Sequence, residues 1–252
     1  MRKYFGELML TINNFNLKDY RSICSNIFLH KDITTEKSIC RYISIDCLID
    51  MLSTNKLYVS NRKHLNDKRE QGIKENLRDI FPLSVQYHSK EMTQNEAQRI
   101  NDLHRAAYSV YVSCWTQRIE ESIMFWHCYG QDTCRITTTI GDLVNSIISP
   151  NNTILIAPIK YDDRGRTELV EQKVFSKHVA YRDEQEIRLC VLPNEKENPP
   201  LLSIDLSAMI HEIIINPFFC KSYQIFLKET LEDWFTFLKG RVSLSHILEF
   251  DF

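Results

Sequence analysis

The sequence predicts an α+β fold, in which short strands and short helices follow one another without regular strand–helix–strand winding. Apolar runs of about four to eight residues recur along the chain, as strands require. Irregular polar or helix-prone stretches separate these runs. The six glycines form neither G-x-G-x-x-G nor G-x-x-x-x-G-K, so a Rossmann fingerprint and a P-loop are both absent.

Length and composition indicate an ordinary globular protein. The chain has 252 residues, 43% of them hydrophobic, which suits one domain with a core over 39–220 and excludes wholesale disorder. Its 31 basic and 33 acidic residues give a net charge of −2, so no global basic field favours nucleic acid. We therefore predict a single domain over 1–252.

The ends and the cysteines predict a cytoplasmic protein without a metal centre. The first 15 residues lack a continuous apolar segment, and no 18-residue apolar run occurs, so neither a signal peptide nor a membrane span is predicted. The eight cysteines include no C-x-x-C pair, which favours reduced thiols over zinc.

The first clear elements lie between residues 39 and 61. A strand at 39–43 leads to Ser44, a plausible N-cap, and to a helix that Asn55 can end. The stretch KLYVSN, residues 56–61, then predicts one further strand. Residues 1–38 carry no clear pattern.

A polar helical insert and an aromatic helix follow. Residues 63–108 predict one or two helices inserted between strands, and 108–115 alternates as a strand. The aromatic stretch 122–130 predicts a helix ended by Gly130.

The rest of the chain predicts more strands and a C-terminal helix. Strands are expected at 135–140, 152–161, 186–193, 201–206 and 210–218, with a short helix at 141–149. Residues 222–240 predict an amphipathic helix with Leu227, Leu231, Trp234 and Leu238 on its apolar stripe.

Arg41 is the first candidate site residue, because it lies within an apolar strand. A guanidinium stays ionised and needs an anion when it is buried. Its planar fork suits phosphate or carboxylate. A structural salt bridge to a glutamate is the alternative.

Glu184, Glu186 and Arg188 alternate at the start of a predicted strand, which places them on one face. Two adjacent carboxylates repel unless a cation lies between them, and such pairs suit a site where positive charge develops. The alternative is a solvated edge strand.

Three other side chains join the candidates. Ser60 ends a predicted strand, where a hydroxyl can line a cleft or begin a turn. Trp126 and Tyr129 share a helix face, which suits either core packing or a stacking wall for a planar ring.

Five motifs in order resemble a widespread bacterial family of domains of unknown function. Its members read F-N-D-P-F-E, S-C-F-S, M-W-x-x-Y, Y-x-x-E-x-E-x-R and E-I-I-I-G. This chain departs from the pattern at Lys68 and Asn216. The residues that it keeps are Asn66, Asp67, Glu70, Ser113, Cys114, Trp126, Tyr129, Tyr181, Glu184, Glu186 and Arg188. The resemblance implies a role as a phage-defence or toxin-type effector, with a possible inhibitor protein.

The order of Arg41, Ser60 and Glu184-x-Glu186 is similar to the Arg–Ser–Glu pattern of ADP-ribosyltransferases, whose fold is a small split mixed β-sheet. That resemblance implies NAD as substrate. Arg41 would hold a phosphate or ribose, and Ser60 would fix the nicotinamide side.

The same resemblance gives the acids and aromatic residues their roles. Glu186 would bind the nicotinamide ribose and stabilise the oxocarbenium-like centre, and Glu184 would orient the acceptor. Trp126 or Tyr129 would stack on nicotinamide. Tyr181 and Arg188 are further candidates for the cofactor site.

Two other functions remain open at this point. One is a non-catalytic module that senses a nucleotide or a phage component. The other is a metal-dependent nuclease, although EQEIR lacks the lysine of the E-x-K pattern.

Overall fold

The computed structural model describes residues 15–62, 110–130, 132–148, 152–162, 174–192 and 201–248. The whole predicted insert at 63–108 lies outside these residues, and with it Asn66, Asp67 and Glu70.

The described chain confirms the α+β class. Its helices are α1 (Ile45–Thr54), α2 (Ile123–Tyr129), α3 (Ile140–Ser146), α4 (Leu206–Met209) and α5 (Lys221–Trp234). Its strands are β1 (Tyr20–Cys24), β2 (Ile27–His30), β3 (Ser38–Ser44), β4 (Lys56–Tyr58), β5 (Ser60–Asn61), β6 (Tyr111–Thr116), β7 (Thr133–Thr139), β8 (Thr153–Pro158), β9 (Lys160–Asp162), β10 (Ser176–His178), β11 (Glu186–Leu192), β12 (Leu201–Ser203), β13 (Glu212–Ile215) and β14 (Val242–Leu244). Short 3₁₀ helices occupy Leu17–Asp19, Val179–Glu184 and Thr236–Leu238.

A ten-stranded mixed sheet forms the centre of the molecule, and it is larger than the small sheet of the prediction. Its order is β1-β2-β8-β11-β6-β3-β7-β13-β14, with β5 added beside β6. The β2–β8 and β13–β14 pairs are parallel, whereas the other neighbours are antiparallel. The strands β9 and β10 form a separate parallel pair, and β4 and β12 a separate antiparallel pair.

Side-chain alternation divides the core between the two faces of this sheet. The largest apolar cluster covers one face, where Leu48 of α1 and Leu231 of α5 pack against strand residues such as Ile136 and Leu189. Two smaller clusters lie on the other face. One surrounds Phe175, and the other packs α2 against β3.

The sheet opens between β3 and β6. These strands pair only through Cys40 and Thr116, and β6 pairs with β5 only at Val112 and Tyr111. Between these two contacts, residues 113–115 have no strand partner on that edge within the described chain. The opening lies between the two smaller apolar clusters and creates the space for a pocket.

No helix in the described part of the chain is long and apolar enough to cross a membrane.

Candidate functional site

A pocket of about 140 Å³ lies at the opening between β3 and β6. Five predicted site residues line it: Arg41, Ser60, Tyr129, Glu184 and Glu186. They come from β3, β5, α2, the 3₁₀ helix 179–184 and β11. A cavity of roughly 150 Å³ holds one benzene-sized ring. The enclosed space therefore fits one ring, and a larger ligand would extend through the open side.

Arg41 joins β3 to β6 across the opening. Its Nη1 donates a hydrogen bond to Ser113 Oγ at 2.8 Å, and Ser113 Oγ also accepts from Trp115 Nε1 at 3.0 Å. Burial lowers the pKa of Arg41, and the nearby Cys114, Cys47 and Tyr129 partly offset this effect. A guanidinium nevertheless stays charged in a protein.

No carboxylate in the described chain forms a salt bridge with Arg41. The two glutamates of the pocket pair instead with Lys177 and Arg188. The alternative interpretation, in which Arg41 makes a structural salt bridge to one of these glutamates, is therefore wrong. No described carboxylate accepts a hydrogen bond from the Arg41 guanidinium. An anionic ligand is therefore the partner that the chemistry favours.

Glu186 is a buried carboxylate fixed by a buried guanidinium. Its Oε1 accepts a hydrogen bond from Arg188 Nε at 2.7 Å, and the two side chains are 3% and 0% exposed. Arg188 Nη1 also donates to the Val174 carbonyl at 2.8 Å. All seven residues of β11 are buried, and β6 and β8 flank it, so the edge-strand interpretation is wrong.

The environment keeps Glu186 ionised. Burial alone would raise the pKa of Glu186, but Arg188, Lys177 and a hydrogen bond with Cys114 outweigh it and lower the pKa below its ordinary value of 4.5. The pocket therefore presents a fixed negative charge at neutral pH.

The sequence predicted that Glu184 and Glu186 alternate along one strand, but Glu184 does not lie on a strand. It ends the 3₁₀ helix 179–184, and Gln185 adopts a left-handed conformation with φ of 44° before β11 begins at Glu186. The two carboxylates nevertheless meet at one cation. Lys177 Nζ lies 2.7 Å from Glu184 Oε2 and 3.5 Å from Glu186 Oε2.

Tyr129 and Trp126 share a face of α2, but only Tyr129 lines the pocket. Its ring is stacked on Tyr42 at 5.1 Å between centroids and 3° between planes, and the residue is 45% exposed. Burial of its hydroxyl and the nearby Glu184 raise the pKa of Tyr129. Trp126 is 0% exposed and donates its Nε1 hydrogen to Glu121, so it presents no ring face to a ligand.

Arg188 and Tyr181 are not among the residues that line the pocket. Arg188 is 0% exposed and contacts Glu186 and the Val174 carbonyl. The Tyr181 ring lies beneath the Lys177 ammonium, 4.6 Å from ring centroid to Nζ. Both residues, predicted as parts of a cofactor site, hold the charged groups in place.

The sequence prediction did not include Lys177, which lies on the short strand β10 outside the main sheet. No spacing in the sequence indicated it, because the 3₁₀ helix that carries Tyr181 and Glu184 begins only at Val179. Sequence reasoning also assigned Cys114 no role, although its thiol lies in the pocket and contacts Glu186.

The charged side chains that line the pocket are Arg41, Glu184 and Glu186. The two carboxylates contact Lys177 and Arg188, which lie next to the lining residues. In the described residues, no group of three or more His, Cys, Asp or Glu side chains is arranged to hold a metal ion.

Comparisons with protein-family models, with curated proteins and with solved structures found no match for this chain.

Proposed function

We propose that this pocket binds NAD and breaks the bond between nicotinamide and ribose, so that ADP-ribose passes to an acceptor or to water. The observation that carries the proposal is the joint presence of Glu186 and Arg41 at one pocket. Glu186 offers a fixed, ionised carboxylate, and Arg41 a cation without a carboxylate partner in the described chain.

The diphosphate and the nicotinamide of NAD each have a chemically suited neighbour in this proposal. The diphosphate is the anion for Arg41, whose planar fork suits phosphate oxygens. The nicotinamide ring is flat and lies against Tyr129, with Ser60 beside it. The space of about 140 Å³ suits the one ring that has to be enclosed.

The Glu186 carboxylate stabilises the charge that develops during the reaction. Nicotinamide leaves with the electrons of the glycosidic bond, and the ribose carbon becomes positively charged. A fixed carboxylate in a site shielded from water stabilises that charge without rearranging. Glu184 orients the attacking hydroxyl, amine or water, which releases its proton to solvent when the new bond forms.

The experiment is to incubate the purified protein with NAD labelled in nicotinamide and to measure free nicotinamide. Wild type and the control Glu229→Gln, which removes an exposed charge on α5, should release it at equal rates. Glu186→Gln should lose about 10²- to 10³-fold in rate, while NAD binding by calorimetry is kept. A folded wild type that neither binds nor consumes NAD, with candidate acceptors present, would contradict the proposal.

The two other functions predict different outcomes in the same assay. A sensing module would bind NAD in both wild type and Glu186→Gln and consume it in neither. A metal-dependent nuclease would cleave nucleic acid and stop when EDTA is added.

The proposal extends to the biological role that the motif resemblance implies. ADP-ribosyl transfer or NAD consumption would suit a phage-defence or toxin-type effector. Mass spectrometry of the products distinguishes a protein, a nucleic acid, a small molecule or water as the acceptor.

A further inference from the structure

Lys177 is a buried cation supplied to the pocket from outside the main sheet. It lies on β10, opposite Tyr161 of β9 in their parallel pair. Its side chain is only 9% exposed, although lysine is rarely buried unless it is paired. The β9–β10 pair thus places one positive charge beside the carboxylates.

The contacts of Lys177 join three segments of the chain. Its Nζ lies 2.7 Å from Glu184 Oε2, at the end of the 3₁₀ helix, and 3.5 Å from Glu186 Oε2, at the start of β11. The Tyr181 ring supports the ammonium at 4.6 Å. The Lys177 ammonium thus contacts both carboxylates and the Tyr181 ring at once.

Both carboxylates lie beside the Lys177 ammonium, and Glu186 also pairs with Arg188. Without the ammonium, they would repel each other, and the pair would take up a proton at higher pH. The neighbouring groups cannot replace it. Arg188 already bonds the other oxygen of Glu186, and Arg41 bonds Ser113.

Two neighbouring tyrosines stay neutral over the acidic range. Burial raises the pKa of Tyr161 to about 12, and burial and the nearby Glu184 raise the pKa of Tyr129 above its ordinary value of 10. The Cys114 thiol contacts Glu186 as a hydrogen-bond partner. Among the described residues, Lys177 is the cation that forms ion pairs with both acids, so its removal changes the charge beside both.

We propose that Lys177 is a positioning residue, which keeps Glu184 and Glu186 ionised together and sets the distance between them. The importance of this for turnover rests on the proposed NAD chemistry. The effect on the two carboxylates does not, so it can be tested without any substrate.

The test is a pH titration of the protein labelled with ¹³C at the glutamate carboxyl carbons, followed by NMR. Lys177→Met should move the titration of one of the two carboxyls upward by about one pH unit or more. Lys177→Arg should stay near wild type, because the charge is kept. The control Lys160→Met removes an exposed lysine from the neighbouring strand β9 and should leave both titrations unchanged.

A double variant covers the case in which Lys177→Met folds poorly. Lys177→Met/Glu184→Gln removes one charge of each sign, so Glu186 should titrate near its wild-type position. Unchanged titrations in Lys177→Met, or an equal shift in the double variant, would overturn the proposal.

The activity measurement separates this inference from the proposed function. If wild type consumes NAD, the acidic limb of its pH–rate profile should move upward in Lys177→Met and recover in Lys177→Arg. If no variant consumes NAD, the proposed function fails, while the NMR titrations still decide the role of Lys177.

Discussion

Arg41 lies on β3 between Cys40 and Tyr42, both of which belong to an apolar cluster. The fold gives its guanidinium a hydroxyl partner, Ser113, and no carboxylate from the described chain. Arg41 is partly buried, and a charge removed from water without a counter-ion costs stability, so a ligand that supplies the counter-ion would recover part of that cost.

Arg41→Met should therefore separate stability from binding. Methionine fills similar space without the charge, and Ser113 keeps its hydrogen bond from Trp115. The free energy of unfolding, measured by urea denaturation, should stay within about 1 kcal/mol of wild type or rise. NAD affinity should fall about tenfold or more, because a charge-assisted hydrogen bond to phosphate is lost.

The matched control for this variant is Arg21→Met, which removes an exposed arginine from β1 and should change neither quantity. A loss of several kcal/mol in Arg41→Met with unchanged NAD affinity would show that Arg41 is structural.

The sequence predicted the lining of the pocket better than the groups behind it. Charged residues in apolar strands, such as Arg41, stand out in a linear sequence because burial of a lone charge is costly. The position of Lys177 could not be predicted, because its contact with Glu184 and Glu186 depends on a 3₁₀ helix and on the left-handed conformation of Gln185. The residue types at these positions indicate neither the 3₁₀ helix nor the left-handed conformation.

At the scale of elements, periodicity predicted where strands and helices occur but not which sheet they join. The predicted strand 56–61 is in fact two strands. β4 pairs with β12 and β5 with β6, and the break falls at the fully buried Val59. The predicted strand 152–161 is similarly broken at Ile159 between β8 and β9. The alternation of apolar and polar residues indicates which side chains of a strand are buried. It does not indicate which sheet the strand joins, because side chains are buried in the same way in both sheets.

For the C-terminal helix, too, periodicity predicted the element but not where it ends. The stripe predicted for it places Leu227 and Leu231 in the core, as observed. Trp234 is the last residue of α5 and is 66% exposed, so its predicted place in the core is wrong. Leu238 is buried, but it belongs to the 3₁₀ helix 236–238. The helical spacing stops applying where the helix stops.

Asn216 ties α2 to the end of β13, at a position where the resembling family has glycine. Its side chain is fully buried, and Nδ2 donates to the Gly130 carbonyl at 3.3 Å. Its Oδ1 accepts from the Phe218 amide at 2.9 Å. Gly130 directly follows Tyr129, so Asn216 helps fix the helix end that carries a pocket residue.

Asn216→Ala should lower the free energy of unfolding by about 1–3 kcal/mol, because it leaves buried backbone groups without their partner. Urea denaturation measures the loss. The control Asn145→Ala, at an exposed position of α3, should stay within about 0.5 kcal/mol of wild type. Equal stability of the two variants would show that the Asn216 hydrogen bonds do not hold the helix end.

At the scale of the whole molecule, the stability of the fold should depend on pH through Glu186. Arg188 and Lys177 outweigh burial and lower the pKa of Glu186 in the folded state, whereas the unfolded chain has the ordinary value of 4.5. The unfolded state therefore binds the proton more readily. The stabilisation is fully present above about pH 4.5 and is lost as the pH falls through the lower folded value.

Comparison with Glu186→Gln isolates this contribution, because every other acidic group is common to both proteins. The difference between their free energies of unfolding, measured by urea denaturation, should be constant above about pH 5 and should shrink below about pH 4.5. A difference that grows on acidification would mean that the folded-state pKa of Glu186 is raised instead.

The proposed function requires NAD to bind at the opening between β3 and β6. A crystal structure of Glu186→Gln with NAD examines this requirement, because the ligand should bind without being consumed. We expect the nicotinamide ribose beside residue 186, the nicotinamide ring against Tyr129 and the diphosphate at Arg41. NAD bound elsewhere on the molecule, or an empty pocket at saturating NAD, would contradict the proposed function.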